Sequence, residues 1–182
     1  TVLLFYEAVE KVLKTMDISD EIIFVNDGSK DNTLTEMIKL YEAHPKEVKV
    51  IDFSRNFGKE GAFLAGLRAA KGDYVTVMDA DLQDPPEYLP KMFDLMEKND
   101  DDVVGTRRVT RQGEPALRSF FARSFYKLIN RFVEVKIVDG ARDFRLMKRQ
   151  VVDSILSLQE YGRFSKGLFA WVGYKTEYME YE

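Results

Sequence analysis

The chain has 182 residues, 45% hydrophobic and 32% charged, which is enough for one folded domain and too apolar for a disordered segment. It has no cysteine and a single histidine, His44, so disulfide frameworks, thiolate metal sites, histidine triads and histidine-rich metal centres are excluded. No apolar run reaches about 18 residues and the start lacks a signal-peptide pattern, so no transmembrane helix is expected in this chain.

Net charge is −4, unevenly spread. Between Arg107 and Arg149 stand twelve basic residues against four acidic ones, a net +8 that leaves −12 on the remainder. A cationic surface aimed at an anionic partner is the expectation.

In chain order, apolar residues at helical spacing over Val2–Leu13 predict an opening helix. Ile22-Ile23-Phe24-Val25 reads as a short buried strand that runs into Asn26-Asp27-Gly28-Ser29. Gly28 permits a tight turn there, and Ser29 or Asp31 can cap a helix reaching about Ala43. His44, before Pro45, reads as surface punctuation at that helix's end. Val48–Phe53 is the next strand, followed by Ser54-Arg55-Asn56 and a small-residue helix, Glu60–Ala70, able to lie close to a sheet. Tyr74–Met78 is the third strand, Pro86–Lys98 a helix, and Asp102–Gly105 a short fourth strand that ends in Thr106-Arg107-Arg108. Alternating strands and helices predict an α/β fold with a mainly parallel sheet flanked by helices. Ala116–Phe132 reads as a helix with a broad aromatic face and a basic side, either packed on the sheet or lying at a membrane surface. Asp143–Lys148 alternates like a strand, Val151–Leu158 and Phe164–Val172 read as short helices, and Tyr174–Glu182 as a final strand. This alternating tail is expected to run antiparallel and make the sheet mixed.

The most informative stretch is Met78-Asp79-Ala80-Asp81-Leu82-Gln83-Asp84-Pro85-Pro86. In an extended chain Asp79 and Asp81 share a face about 6.5 Å apart. That suits a hard divalent cation, with Gln83 adding a neutral oxygen. The plainer alternative is that these aspartates only cap the following helix. Ligands of open α/β sheets bind beyond the carboxyl ends of the strands. Four strands here end in polar residues: Asp27, Ser54-Arg55-Asn56, Asp79-Ala80-Asp81 and Thr106-Arg107-Arg108. Carboxylates, a metal and arginines in one cleft are what a pyrophosphate leaving group needs. No P-loop and no G-x-G-x-x-G follows a strand, which argues against an ATPase or a dehydrogenase.

Val25-Asn26-Asp27-Gly28-Ser29-x-Asp31, Arg55-Asn56-Phe57-Gly58-Lys59-Glu60-Gly61-Ala62 and Asp79-Ala80-Asp81-Leu82-Gln83-Asp84-Pro85-Pro86-Glu87 together resemble inverting family 2 glycosyltransferases of the GT-A fold. Asp143-Phe144-Arg145-Leu146-Met147, Arg163-Phe164-x-x-Gly167 and Trp171-Val172-Gly173 narrow the resemblance to the polyprenyl-phosphate branch. That branch includes dolichol-phosphate mannose synthase and bacterial undecaprenyl-phosphate glucosyltransferases. The resemblance implies a nucleotide-sugar donor, a polyprenyl-phosphate acceptor, a membrane surface as the place of work and no nucleic-acid partner; a homo-oligomer is left open. Asp27 would contact the nucleotide base, while Lys59, Asp79, Arg107 and Arg108 would bind substrate. Asp81 and Gln83 would hold Mg²⁺ or Mn²⁺. Asp143, Asp81 and Arg145 would serve the reaction, with Asp143 beside the sugar and Arg145 on phosphate. The helix near 116–132 would rest on the bilayer.

Residues 1–182 read as a single catalytic domain that lacks the family's first strand, with its Pro-x-Tyr-Asn-Glu loop, and any C-terminal membrane helices. The expected location is the cytoplasmic face of a membrane. UDP-glucose is preferred over GDP-mannose as donor, because Asp-Phe-Arg-Leu-Met looks more like the bacterial branch. A saccharide acceptor, a non-catalytic nucleotide-binding or membrane-docking domain, and a two-metal phosphohydrolase are the competing readings. A saccharide hydroxyl would need a general base. The phosphohydrolase would need more carboxylate or histidine ligands.

Overall fold

The computed structural model describes residues 1–108, 141–158 and 172–181. The helix expected near 116–132, and residues 164–171 of the later one, lie outside the described residues. Helix α1 (Val2–Leu13) buries Val2, Phe5, Tyr6, Val9 and Val12, the spacing of one helical stripe. Strand β1 (Ile22–Asn26) pairs in parallel with β2 (Val48–Asp52), from Ile22 opposite Val48 to Asn26 opposite Asp52. Helix α2 (Thr33–Ala43) joins them, the right length for a crossover between parallel neighbours. Asp31 rather than Ser29 serves its start, where Asp31 Oδ1 accepts the Thr33 N–H at 3.0 Å.

Helix α3 (Lys59–Ala69) follows β2, and its small residues do what they suggest. A Cβ at Gly66 would stand 3.6 Å from Val25 Cγ2, so the helix lies close over β1. Strand β3 (Tyr74–Val77) is one residue shorter than expected and ends before Met78. After a loop, Pro86–Tyr88 forms a 3₁₀ turn that leads into helix α4 (Leu89–Asn99). Proline suits such a first turn, since it has no N–H to leave unpaired. Strand β4 (Val103–Arg108) extends past the expected Gly105. Strand β5 (Ala141–Lys148), helix α5 (Arg149–Ser157) and strand β6 (Thr176–Tyr181) complete the described chain.

The second sheet has the order β3-β5-β4-β6. Strand β5 runs antiparallel to both β3 and β4, which makes the fold mixed as expected. Strand β6 departs from expectation: it pairs in parallel with β4, from Val103 opposite Thr176 to Arg108 opposite Tyr181. A strand's direction depends on its long-range partner, and alternation of side chains is the same either way.

Strand β5 is the keystone of the core. Phe144 and Leu146 pack with Leu89, Met92 and Met96 on the α4 side. Met147 packs with Leu67, Val151 and Ile155 on the α3 and α5 side. Residues of opposite parity thus enter opposite layers, as the two-residue period of a strand dictates.

Among the described residues β1 pairs only with β2, and β3 only with β5. A cavity of about 910 Å³ is bounded by residues 22–25 of β1 and 74–77 of β3, together with parts of α1 and α3. Consecutive residues of both strands line it, so each strand presents an edge rather than one face.

Phe144 is fully buried at the centre of this arrangement. Phe144→Ala should lower the unfolding free energy by about 3–5 kcal/mol, through lost transfer energy and a residual cavity. Urea denaturation measures this, and a loss below about 1 kcal/mol would place the core elsewhere.

Candidate active site

The site is built where the chain leaves β1, β2 and β3. Gly28 sits at φ +73°, a left-handed conformation, and a Cβ there would lie 2.7 Å from Asn56 N and 2.8 Å from the Arg55 carbonyl carbon. Only glycine lets these two loops meet so closely. The approach brings the Asp27 carboxylate onto the following loop. Its Oδ1 accepts the Phe57 N–H at 2.6 Å and its Oδ2 the Gly58 N–H at 3.0 Å. Beneath it, buried Asn26 donates to Asp52 Oδ1 at 2.7 Å, which ties the ends of β1 and β2. Asp27 therefore sets the start of α3, and the first residue of α3 is Lys59.

Lys59 Nζ donates to Asp79 Oδ2 at 2.7 Å and to Asp143 Oδ2 at 2.8 Å. A cation at a helix N-terminus opposes the helix dipole, so carboxylates rather than the helix hold it there. The β3–β5 register explains why two carboxylates face each other. It pairs Val77 with Arg145 at the end of β3, and beyond that last pair Asp79 and Asp143 lie close enough to share Lys59. Like charges opposite one another across strands repel, and Lys59 between them resolves the conflict. Burial alone would push the Lys59 pKa down, but the hydrogen bonds it donates to Asp143 and Asp79 outweigh this and hold the ammonium above its ordinary value. Lys59 and Asp79 are 52% and 45% exposed, so the cluster adds little stability.

Residues 78–85 form the acid loop beyond β3. Asp81 Oδ1 accepts the Gln83 N–H at 3.0 Å, and Leu82 between them stands at φ +60°. The turn that Asp81 closes precedes the 3₁₀ helix, whose start at Pro85 has no side-chain cap, so Asp81 is not a helix cap. A non-glycine residue in the left-handed region is strained and needs support from its surroundings. Two residues not singled out from sequence supply some of it. Arg142 Nε donates to Asp84 Oδ1 at 3.1 Å and Arg142 Nη2 to Gln83 Oε1 at 3.4 Å, and Asp84 is 3% exposed. Arg142 stands next to Asp143 and Asp84 next to Gln83, but nothing in a linear sequence says that they pair.

The expected site residues divide accordingly. Asp79, Lys59 and Asp143 come together, with Asp27 behind them and Asp81 and Gln83 in the adjacent loop. Arg145 is buried, and its Nη2 donates to the Arg142 carbonyl at 2.8 Å and its Nε to the Asp143 carbonyl at 3.4 Å. Burial lowers its pKa to about 10, which still leaves it cationic at neutral pH. It supports the backbone under the site. Arg107 stands 3.6 Å from Glu180 of β6 in an ion pair. The Arg108 side chain lies outside the described residues.

Among the described residues no three acid or histidine side chains are grouped to hold a metal ion. A hard cation shared with substrate phosphates needs only one or two protein carboxylates. Asp81, in an exposed turn beside Asp79, fits that requirement.

An α/β fold with an acidic loop at the carboxyl end of β3, beside a lysine-bridged carboxylate pair, defines a domain of the GT-A type. The chain belongs to glycosyl transferase family 2, whose profile it matches over residues 4–156. It is 48% identical over 172 residues to an uncharacterized glycosyltransferase of Synechocystis sp., covering 94% of this chain and 54% of that protein. It is 41% identical over 177 residues to the bactoprenol glucosyl transferase of Shigella phage SfV, covering 97% and 57%. Among solved structures, a mannosyltransferase of Pyrobaculum calidifontis in complex with GDP-Man and Mn²⁺ superposes with a TM-score of 0.61 at 20% identity, covering 99% of this chain and 52% of that one. The chain spans about half the length of the curated relatives it matches. Among the described residues no helix is long and apolar enough to cross a membrane.

The pairing of Lys59 has a measurable consequence. Its folded pKa lies above the ordinary value of 10.5, so the pairing contributes below that pH and is lost as pH rises through the folded value. Asp143→Asn should lower the Lys59 pKa, since burial then meets one carboxylate fewer. Titration of the lysine Cε resonance by NMR reads this directly. An unmoved pKa would mean that Asp143 does not hold Lys59.

Proposed function

We propose that this chain carries the donor site of an inverting glycosyltransferase that moves a sugar from a nucleoside-diphosphate sugar, UDP-glucose by preference, to a polyprenyl phosphate. The observation that carries the reading is the Lys59-bridged Asp79–Asp143 pair beside the Asp81 turn, at the carboxyl end of β3 where α/β sheets bind ligands. Family membership and the bactoprenol glucosyl transferase of Shigella phage SfV support it. The net charge of +8 between Arg107 and Arg149 suits a phosphate-bearing lipid and an anionic membrane surface, with the cytoplasmic face as the place of work.

The lipid phosphate attacks the anomeric carbon and the nucleoside diphosphate departs from the opposite side. A phosphate monoester with a second pKa of about 6 is largely dianionic at neutral pH, so its oxygen needs no general base. Asp143 then has two tasks: it holds Lys59, and its carboxylate opposes positive charge growing on the sugar. Lys59, which donates to Asp79, would meet the diphosphate end of a donor seated over that aspartate. Asp27 keeps the loop before α3 in place, and its carboxylate lies at the strand end where the nucleotide base would stack. Asp81 would hold Mg²⁺ or Mn²⁺, which when bound neutralises the departing diphosphate. Arg107 and Arg108 stand at the end of β4 as further phosphate partners.

The reading extends to the cavity between β1 and β3. One added strand there would pair with both exposed edges and join the two sheets, the place for the first strand and nucleotide loop that the family resemblance leads one to expect. A chain extended at its N-terminus by such a strand should show a higher melting temperature than this one and tighter nucleotide binding. Equal melting temperatures would remove this assignment of the cavity.

Calorimetric titration with UDP and with GDP, each with and without Mn²⁺, tests the donor site. One nucleotide should bind in a metal-dependent manner. Asp81→Asn should weaken it by about tenfold or more, as loss of a carboxylate that holds the cation does. Metal-independent binding of equal strength in Asp81→Asn would refute the assignment.

A further inference from the structure

We infer that Arg142 is a positioning residue that holds the acid loop in the shape that binds a divalent cation with a nucleoside diphosphate. The inference rests on the donor site proposed above and adds to it a residue that touches neither sugar nor phosphate.

Three observations carry it. Asp84 is a carboxylate 3% exposed, and a buried carboxylate requires a partner. Arg142 supplies that partner through Nε at 3.1 Å, and its Nη2 reaches Gln83 Oε1 at 3.4 Å, so one rigid guanidinium spans two consecutive side chains of the loop. Next to them Leu82 stands at φ +60°, a conformation that persists only where the surroundings over-determine it. The carboxylate presented on the other side of Leu82 is Asp81, whose Oδ1 closes the same turn on the Gln83 N–H. Anchoring Gln83 and Asp84 therefore fixes where Asp81 points.

Arg142 is itself held. Arg145, buried three residues further along β5, donates to the Arg142 carbonyl at 2.8 Å. Successive residues of β5 complete the device. Arg142 reaches Asp84 and Gln83 of the acid loop, while Asp143 meets Lys59 at the start of α3. Two successive residues of one strand thus hold the two walls of the site. A guanidinium is suited to this task because its planar fork presents Nε to Asp84 and Nη2 to Gln83 in fixed relative geometry.

The test uses the intact protein with Mn²⁺ and UDP (or GDP, whichever binds), and circular dichroism to confirm folding. Arg142→Met removes a charged partner of a buried carboxylate and risks misfolding, so Asp84→Asn and the double variant Arg142→Met with Asp84→Asn accompany it, the latter with both partners neutral. Arg142→Lys keeps the charge without the fork. Mn²⁺ affinity in the presence of nucleotide should fall about 10–100-fold in the double variant, while nucleotide affinity without metal stays within about twofold, as expected for groups that orient a metal ligand. Arg142→Lys should fall between wild type and the double variant, and the two single changes should be strongly non-additive. A folded double variant with wild-type Mn²⁺ affinity would overturn the inference alone. Equal loss of metal-dependent and metal-free binding would also overturn it, by showing a general structural role. Wild-type protein without metal-dependent nucleotide binding would remove the donor site and this inference together.

Discussion

The antiparallel insertion of β5 between β3 and β4 is the constraint on which the site depends. It brings Asp143 near Asp79 beyond the end of β3, a placement that repulsion opposes and Lys59 permits. The lysine comes from a third element, α3, and its position depends on the Asp27 carboxylate and on the bare backbone of Gly28. Three strands and one helix start thus converge on a single ammonium. Removing any one support leaves the others with an uncompensated charge or a misplaced loop.

The two walls of the site are held differently. Lys59, Asp79 and Asp143 are partly exposed, so solvent screens their attraction and substrate can compete with it. The Arg142–Asp84 pair is more deeply placed, with the Asp84 side chain 4% exposed. Such a pair is a weak source of stability, because the cost of desolvating both charges offsets much of their attraction, while loss of either partner is costly. An adaptable wall beside a rigid one suits a site that must accept a charged donor and release a charged product. Catalysis by preorganised charge requires the second property, and turnover requires the first.

The identity of the family was legible because its chemistry lies in short contiguous runs. Asp27-Gly28, Gly58-Lys59 and Asp79-Ala80-Asp81 each follow a strand, and each strand was visible as an apolar run. The positions of Asp27, Lys59, Asp79 and Asp143 around one point follow from strand ends sharing one edge. Arg145 was harder to read. Its place two residues after Asp143 suggests a phosphate ligand, yet the same parity that sends Met147 into the core sends Arg145 inward, onto backbone carbonyls. Arg107 likewise meets Glu180, whose nearness depends on β6 pairing in parallel with β4.

The sequence by itself determined the element order, the apolar stripes, the turn glycines and the acidic stretch after β3. These are local properties, set by side-chain period and backbone sterics within a few residues. The tertiary structure alone decided that β5 enters between β3 and β4, that β6 runs parallel to β4, and that Arg142 clasps Asp84 from 58 residues away. Such contacts depend on strand order and register, and a one-residue slip of β5 would exchange the neighbours of Arg142 and Asp143 without altering any local pattern. Alternation shows that a side chain has a face; only the assembled sheet shows what stands opposite it.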